Sequence, residues 1–163
     1  MRMLQLIAFV SIMALAPALS ASAAGETTVT RESFTAEFTE TGLANDCGPG
    51  TSGTLTGTGR TITQAVENEQ GFRVTGTSTG IGRIDWNDGS YTLIDSVDRF
   101  SFQAVGKGTT VFTETHTDSG DNYTADGVFR ARQAFHEVEH LTVTDGVVRV
   151  ELTKGHFHVY GIC

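Results

Sequence analysis

Proline and cysteine each occur only twice in the 163 residues, lysine is confined to Lys107 and Lys154, and charged side chains make up 18% of the chain. So low a charged fraction, beside 39% hydrophobic residues, excludes a typical disordered or solvated-helix composition and fits a globular body. Basic residues are outnumbered 11 to 19 by acidic ones, giving a formal charge of -8. That excess argues against non-specific nucleic-acid binding and against adhesion to anionic lipid, both of which need Lys and Arg. No long stretch of Ala, Leu, Glu and Lys is present to build a helical bundle. There is no internal repeat, no Pro/Ser-rich linker, no glycine loop leading into a helix, and no readable Ser/His/Asp order.

What is abundant is threonine and, with 19 copies, glycine, the composition of strands joined by tight turns. Residues 1–24 have the layout of a secretory signal: Arg2, an apolar run from Leu4 to Leu15, then Pro17 and small residues to Ala24. The run is shorter than the roughly 20 residues a membrane span requires. Cleavage after Ala23 or Ala24 is expected to release a soluble, extracellular, monomeric domain over 25–163. In that compartment Cys47 and Cys163 are expected to form an intrachain disulfide, whose long loop is worth about 4–5 kcal/mol at most on the chain-entropy model. Free thiols or an intermolecular bridge are the alternatives.

Period-two patterning predicts an all-β domain of eight or nine strands closed into one antiparallel β-barrel, calycin-like with about eight strands, or a sandwich. Phe34, Ala36 and Phe38 share a strand face. Thr54–Val66 reads as a strand bent or bulged at Gly57 and Gly59, and Tyr91–Val105 as two stretches. A hairpin around Gly106-Lys107-Gly108 sets Phe102 opposite Phe112. Asp118–Asn122 reads as a polar loop before a strand over Tyr123–Arg132. The clearest turn is Asp145-Gly146, which pairs Thr144 with Val147 and gathers Leu141, Val143, Val148, Val150 and Leu152 on one side. A final strand covers His156–Ile162.

His136-Glu137-Val138-Glu139-His140 matches H-E-x-x-H, the zinc-peptidase pattern. On a helix the two imidazoles would lie about 6 Å apart and could share a Zn²⁺, with Glu137 as general base. On a strand they lie roughly 13 Å apart, four rises of about 3.3 Å, and cannot. A helical stripe through Ala131, Ala134, Phe135, Val138 and Leu141 supports the first geometry. The hairpin at Asp145-Gly146 supports the second, which is preferred here, and sets His140 opposite Glu151. No evident third ligand follows.

Other polar residues form a candidate cavity site: Glu137, Glu139, Arg99, His156, His158 and Tyr160. His156 and His158 share a strand face and could hold a metal with His116, or simply form a wet polar face. Glu137 and Glu139 point with Leu141 and Val143 if the hairpin register persists, whereas a bulge near Phe135 or Glu137, the preferred expectation, turns them outward. Asp118, Asp121, Asn122 and Asp126 depart from calcium-loop spacing.

With its signal peptide, Cys47 beside a Gly/Pro turn, Phe135-His136-Glu137-x-x-His140 and terminal Cys163, the chain resembles small secreted actinobacterial β proteins. The resemblance implies a compact antiparallel fold and supplies no activity. The expected role is binding, of a small apolar ligand inside the domain or of a cell-envelope partner, with no cofactor or catalytic residue. A zinc metallopeptidase using His136, Glu137 and His140 is the alternative. An inert envelope or matrix component is a third.

Overall fold

The computed structural model describes residues 27–162 except 46, 47, 49, 70, 106 and 107. They form seven strands and no helix: β1 (Thr28–Ala44), β2 (Ser52–Asn68), β3 (Gly71–Trp86), β4 (Tyr91–Val105), β5 (Thr109–Tyr123), β6 (Phe129–Thr144) and β7 (Val147–Gly161). Each strand pairs antiparallel with the next, so one sheet runs in the order β1-β2-β3-β4-β5-β6-β7. The expected closed barrel or sandwich is therefore replaced by a single meander with β1 and β7 as its edges. Parity gives a physical reason. After seven alternating strands the first and last run the same way, so direct closure would put a parallel ladder into an antiparallel sheet.

The count is lower than expected because the breaks inferred at Gly57/Gly59 and within Tyr91–Val105 are absent, and the last strand, expected to begin at His156, is continuous with Val147–Leu152 in β7. β2 passes Gly57 and Gly59 without a shift in register against β3. β4 is one strand, and the supposed loop Asp118–Asn122 belongs to β5. The chain turns instead at Thr124–Val128, where the Thr124 amide donates to the Val128 carbonyl at 2.9 Å. The bulges fall elsewhere. Register shifts between Thr41 and Leu43, between Asn122 and Tyr123, and between Thr142 and Val143. At the first of these Gly42 adopts φ +80°, the left-handed conformation suited to a bulged glycine.

Residues aligned across neighbouring strands share a face. One such row runs Glu40, Leu55, Ile84, Thr92, Asn122 and Ala131, and all but Glu40 are buried. It marks the inward face of a curved sheet, whose core of Leu43, Leu55, Ile84 and Trp86, with Phe38 and Ile94 against it, sits at one end. Burying such side chains contributes roughly 1.5–3 kcal/mol each. The next two inward rows contain Gly57, Gly82 and Gly120, then Gly59 and Gly80. Bare backbone lets the inward side curl without crowding, and Phe38 lies over the gap: a Cβ on Gly57 would stand 2.6 Å from its ring and 2.5 Å from the Ile81 carbonyl.

Two of the pairings read from the sequence are present. Phe102 faces Phe112, and Thr144 faces Val147 across Asp145-Gly146, where φ values of 52° and 75° suit a type I′ turn. Beyond Val148 the bulge changes the register. Val150 pairs with Thr142 and Leu152 with His140, so both leave the side of Leu141 and Val143, and Glu151 faces Leu141 instead of His140.

Candidate functional site

All seven strands send side chains to one cavity of about 80 Å³ on the inward face. Leu43 comes from β1 and Phe157 from β7, so the two unpaired edges curl over the same space. Leu55, Ile84, Trp86, Ile94 and Phe135 complete an apolar wall, and Thr92, Asp118, Asn122 and Gln133 supply a polar strip. The strip is ordered by a relay. Trp86 Nε1 donates to Thr92 Oγ1 at 2.9 Å, Thr92 donates to Asn122 Oδ1 at 2.7 Å, and Asn122 Nδ2 donates to the Ala131 carbonyl at 3.4 Å. Each of these groups is thus spared the cost of burial without a partner.

Below the relay, the sheet register lines up Asp98 on β4, His116 on β5 and Glu137 on β6, with Asp118 two residues along β5 on the same face. His116 is buried and held from both sides: Nδ1 bonds Asp98 Oδ1, and Nε2 bonds Asp118 Oδ2 at 2.5 Å. These bonds, that to Asp118 first, outweigh burial and raise the imidazole pKa to about 10, so His116 is a cation at neutral pH with both ring nitrogens donating. The next row sets Glu114 opposite Glu139. Desolvation, followed by the charges of Asp98 and Glu139, pushes the Glu114 carboxyl above its ordinary value. One oxygen of the arrangement stands apart: Asp118 is 2% exposed, and its Oδ1 has no hydrogen-bond partner.

The candidate residues read from the sequence divide between the two faces. Glu137 and Glu139 face inward and are half-buried, because β6 carries no bulge near Phe135 or Glu137; the expectation that they turn outward is corrected. Arg99 pairs with Thr115 on the outward face, away from the cavity. His156, His158 and Tyr160 are also outward, with His158 and Tyr160 stacked at 6.2 Å. His116 lies on the other side of the sheet and cannot join His156 and His158 around an ion.

His136 and His140 are on extended β6, where four rises separate them by about 13 Å. Each bonds its own threonine at 3.0 Å, His136 with Thr117 and His140 with Thr113. Glu137 points to the opposite face from both. The helix on which a shared zinc depends is not formed there, and among the described residues no three His, Cys, Asp or Glu side chains are grouped to hold a metal ion. Among the described residues there is also no disulfide; Cys47 and Cys163 lie outside them.

Asp98, His116, Asp118 and Asn122 form an inward polar group that patterning does not select as a cavity site. Alternation was the available signal, since Asp118, Gly120 and Asn122 continue the inward series of Phe112, Glu114 and His116. No protein-family model matches the chain, and neither a curated protein nor a solved structure matches it.

Proposed function

We propose that this chain is an exported binding protein whose cavity takes a small, mainly apolar ligand. The observation that carries the reading is the convergence of all seven strands on one space walled by aliphatic and aromatic side chains with a short polar strip, the usual make-up of a small-molecule site. Export rests on the signal-like layout of residues 1–24. In that compartment a Cys47–Cys163 disulfide would tie the β1–β2 loop to the end of β7. Support comes from their neighbours: Gly48 and Ile162 line one small cavity together.

Trp86, the sole tryptophan, lines the ligand cavity and reports on it directly. Titration of the mature protein with hexanol should give a saturable change in its fluorescence, and Ile94→Phe, which fills the space, should weaken that binding about tenfold or more. A linear, non-saturable response, unchanged by Ile94→Phe, would return the domain to the inert envelope component.

A second reading is favoured by β7. Every residue from Val147 to Gly161 is exposed, and the strand has a neighbour on one side only. Such an edge can accept a strand from an envelope partner.

A further inference from the structure

We propose that the cavity selects organic cations, specifically an ammonium group on a short apolar stem, with the ammonium donating to Asp118 Oδ1 and the stem lying against Leu55, Trp86 and Phe135. The inference rests on the binding role proposed above and adds the chemistry of the ligand.

Two independent observations support it. The first is the stranded oxygen. Asp118 lines the cavity, is almost wholly buried, and gives Oδ2 to His116 while Oδ1 accepts nothing. An acceptor without a donor in a buried site carries an uncompensated desolvation cost, which a ligand N–H would remove. The neighbouring donors do not fill that role: Trp86 and Thr92 are committed along the relay, and Asn122 Nδ2 is directed to the Ala131 carbonyl.

The second is the confinement of arginine and lysine side chains to one face of the sheet, the carboxylates being found on both. Arg31, Arg60, Arg73, Arg83, Arg99, Arg132 and Lys154 all occupy outward register positions, while Arg130 and Arg149 sit at bulges. Glu40, Asp98, Glu114, Asp118, Glu137 and Glu139 all face inward. His116 is the one basic side chain at an inward register position in the described strands, and both its nitrogens are already taken. A trough lined with carboxylates attracts cations and repels carboxylate ligands before contact. Among the described residues no three ligands are grouped to hold a metal ion, and the charge favours a ligand that brings its own N–H donors.

The test compares hexylammonium, hexanol and hexanoate on the mature protein at neutral pH, read by Trp86 fluorescence and by calorimetry. Hexylammonium is expected to bind about tenfold or more tightly than hexanol, with hexanoate weakest. In Asp118→Asn the preference for the amine over the alcohol should fall to near unity while hexanol binding persists. If that variant does not fold, the ranking with the unaltered protein decides alone. Hexanol or hexanoate binding as well as hexylammonium would overturn the cation selectivity and leave the cavity reading standing. Failure of all three to bind would remove both.

Discussion

The clamp on His116 makes stability depend on alkaline pH in a defined direction. An unfolded histidine releases its proton near 6.5, whereas the folded ring between Asp98 and Asp118 keeps it to about 10. A raised folded-state pKa contributes stability that is complete below the unfolded value and disappears as pH rises through the folded one. Between these limits the folded state holds one proton more than the unfolded chain, a slope of up to about 1.4 kcal/mol per pH unit. Two buried charge-assisted hydrogen bonds, worth about 1.5–3 kcal/mol each in net terms, agree with that slope in giving a total loss of about 3–5 kcal/mol from pH 6.5 to 10. Urea unfolding followed by Trp86 emission, repeated at unit steps from pH 6 to 10, measures it. His116→Gln removes the cation between two inward carboxylates and should cost about 3–5 kcal/mol at pH 7, while flattening the alkaline slope attributable to this residue. A midpoint independent of pH between 7 and 9 in the unaltered protein, or an equal slope in His116→Gln, would refute the reasoning.

Four further outcomes are expected. Gly57→Val should destabilise by about 1–3 kcal/mol despite valine's preference for strands, because its Cβ meets the Phe38 ring and the Ile81 carbonyl; thermal melting with no loss would show that the gap is not needed. Gly146→Ala, at φ +75° with open space around it, should cost about 1 kcal/mol through backbone conformation alone, measured from urea midpoints. Chelation of metals should leave the melting temperature unchanged, and His140→Ala should cost no more than about 1.5 kcal/mol, the value of its bond to Thr113; tight zinc stoichiometry lost in that variant would count against strand geometry. Thiol titration of the chain prepared under oxidising conditions should find no free sulfhydryl, and reduction should lower the urea midpoint, with reactive thiols in the unreduced protein counting against the proposed Cys47–Cys163 bridge.

Much of the fold was legible because local chemistry and tertiary packing agree in the turns and in the apolar rows. Asp145-Gly146 specifies its hairpin by the positive φ both residues adopt, and Phe102 and Phe112 face each other because the chain alternates on either side of the β4–β5 turn. Legibility fails where a strand turns polar residues inward. Asp118, Gly120 and Asn122 read as a loop since alternation normally identifies an inward face by its apolar members, and here that face contains a carboxylate, a glycine and an amide. The same cause merged two features, moving the β5–β6 turn along the chain to Thr124–Val128. Bulges are the other source of error: the extra residue at Arg149 sends Val150 and Leu152 outward, and nothing in Val147–Leu152 favours one register over the other by composition.

The inward polar run of β5 continues a row that reaches Gly59 and Gly80, while the Arg149 bulge lies at the other end of the sheet. A sheet selected only for stability would put valine or isoleucine where Gly59, Gly80, Ser96 and Asp118 meet across neighbouring strands, since each such side chain adds burial and strand propensity. At Gly80 an added Cβ would stand at an ordinary 3.7 Å from Ser96, and at Gly59 its nearest contact is likewise 3.7 Å, so sterics do not forbid a Cβ at either position. Gly57 is different, because Phe38 and the opposing backbone exclude a side chain. Two kinds of glycine therefore share the inward face. Gly57 is required by close approach, whereas Gly59 and Gly80 leave space for a Cβ in the row that reaches Asp118 three and two strands further on. Forgone burial in a row that ends at an unsatisfied acceptor is a stability cost without a structural return, and the ligand site proposed above would account for it.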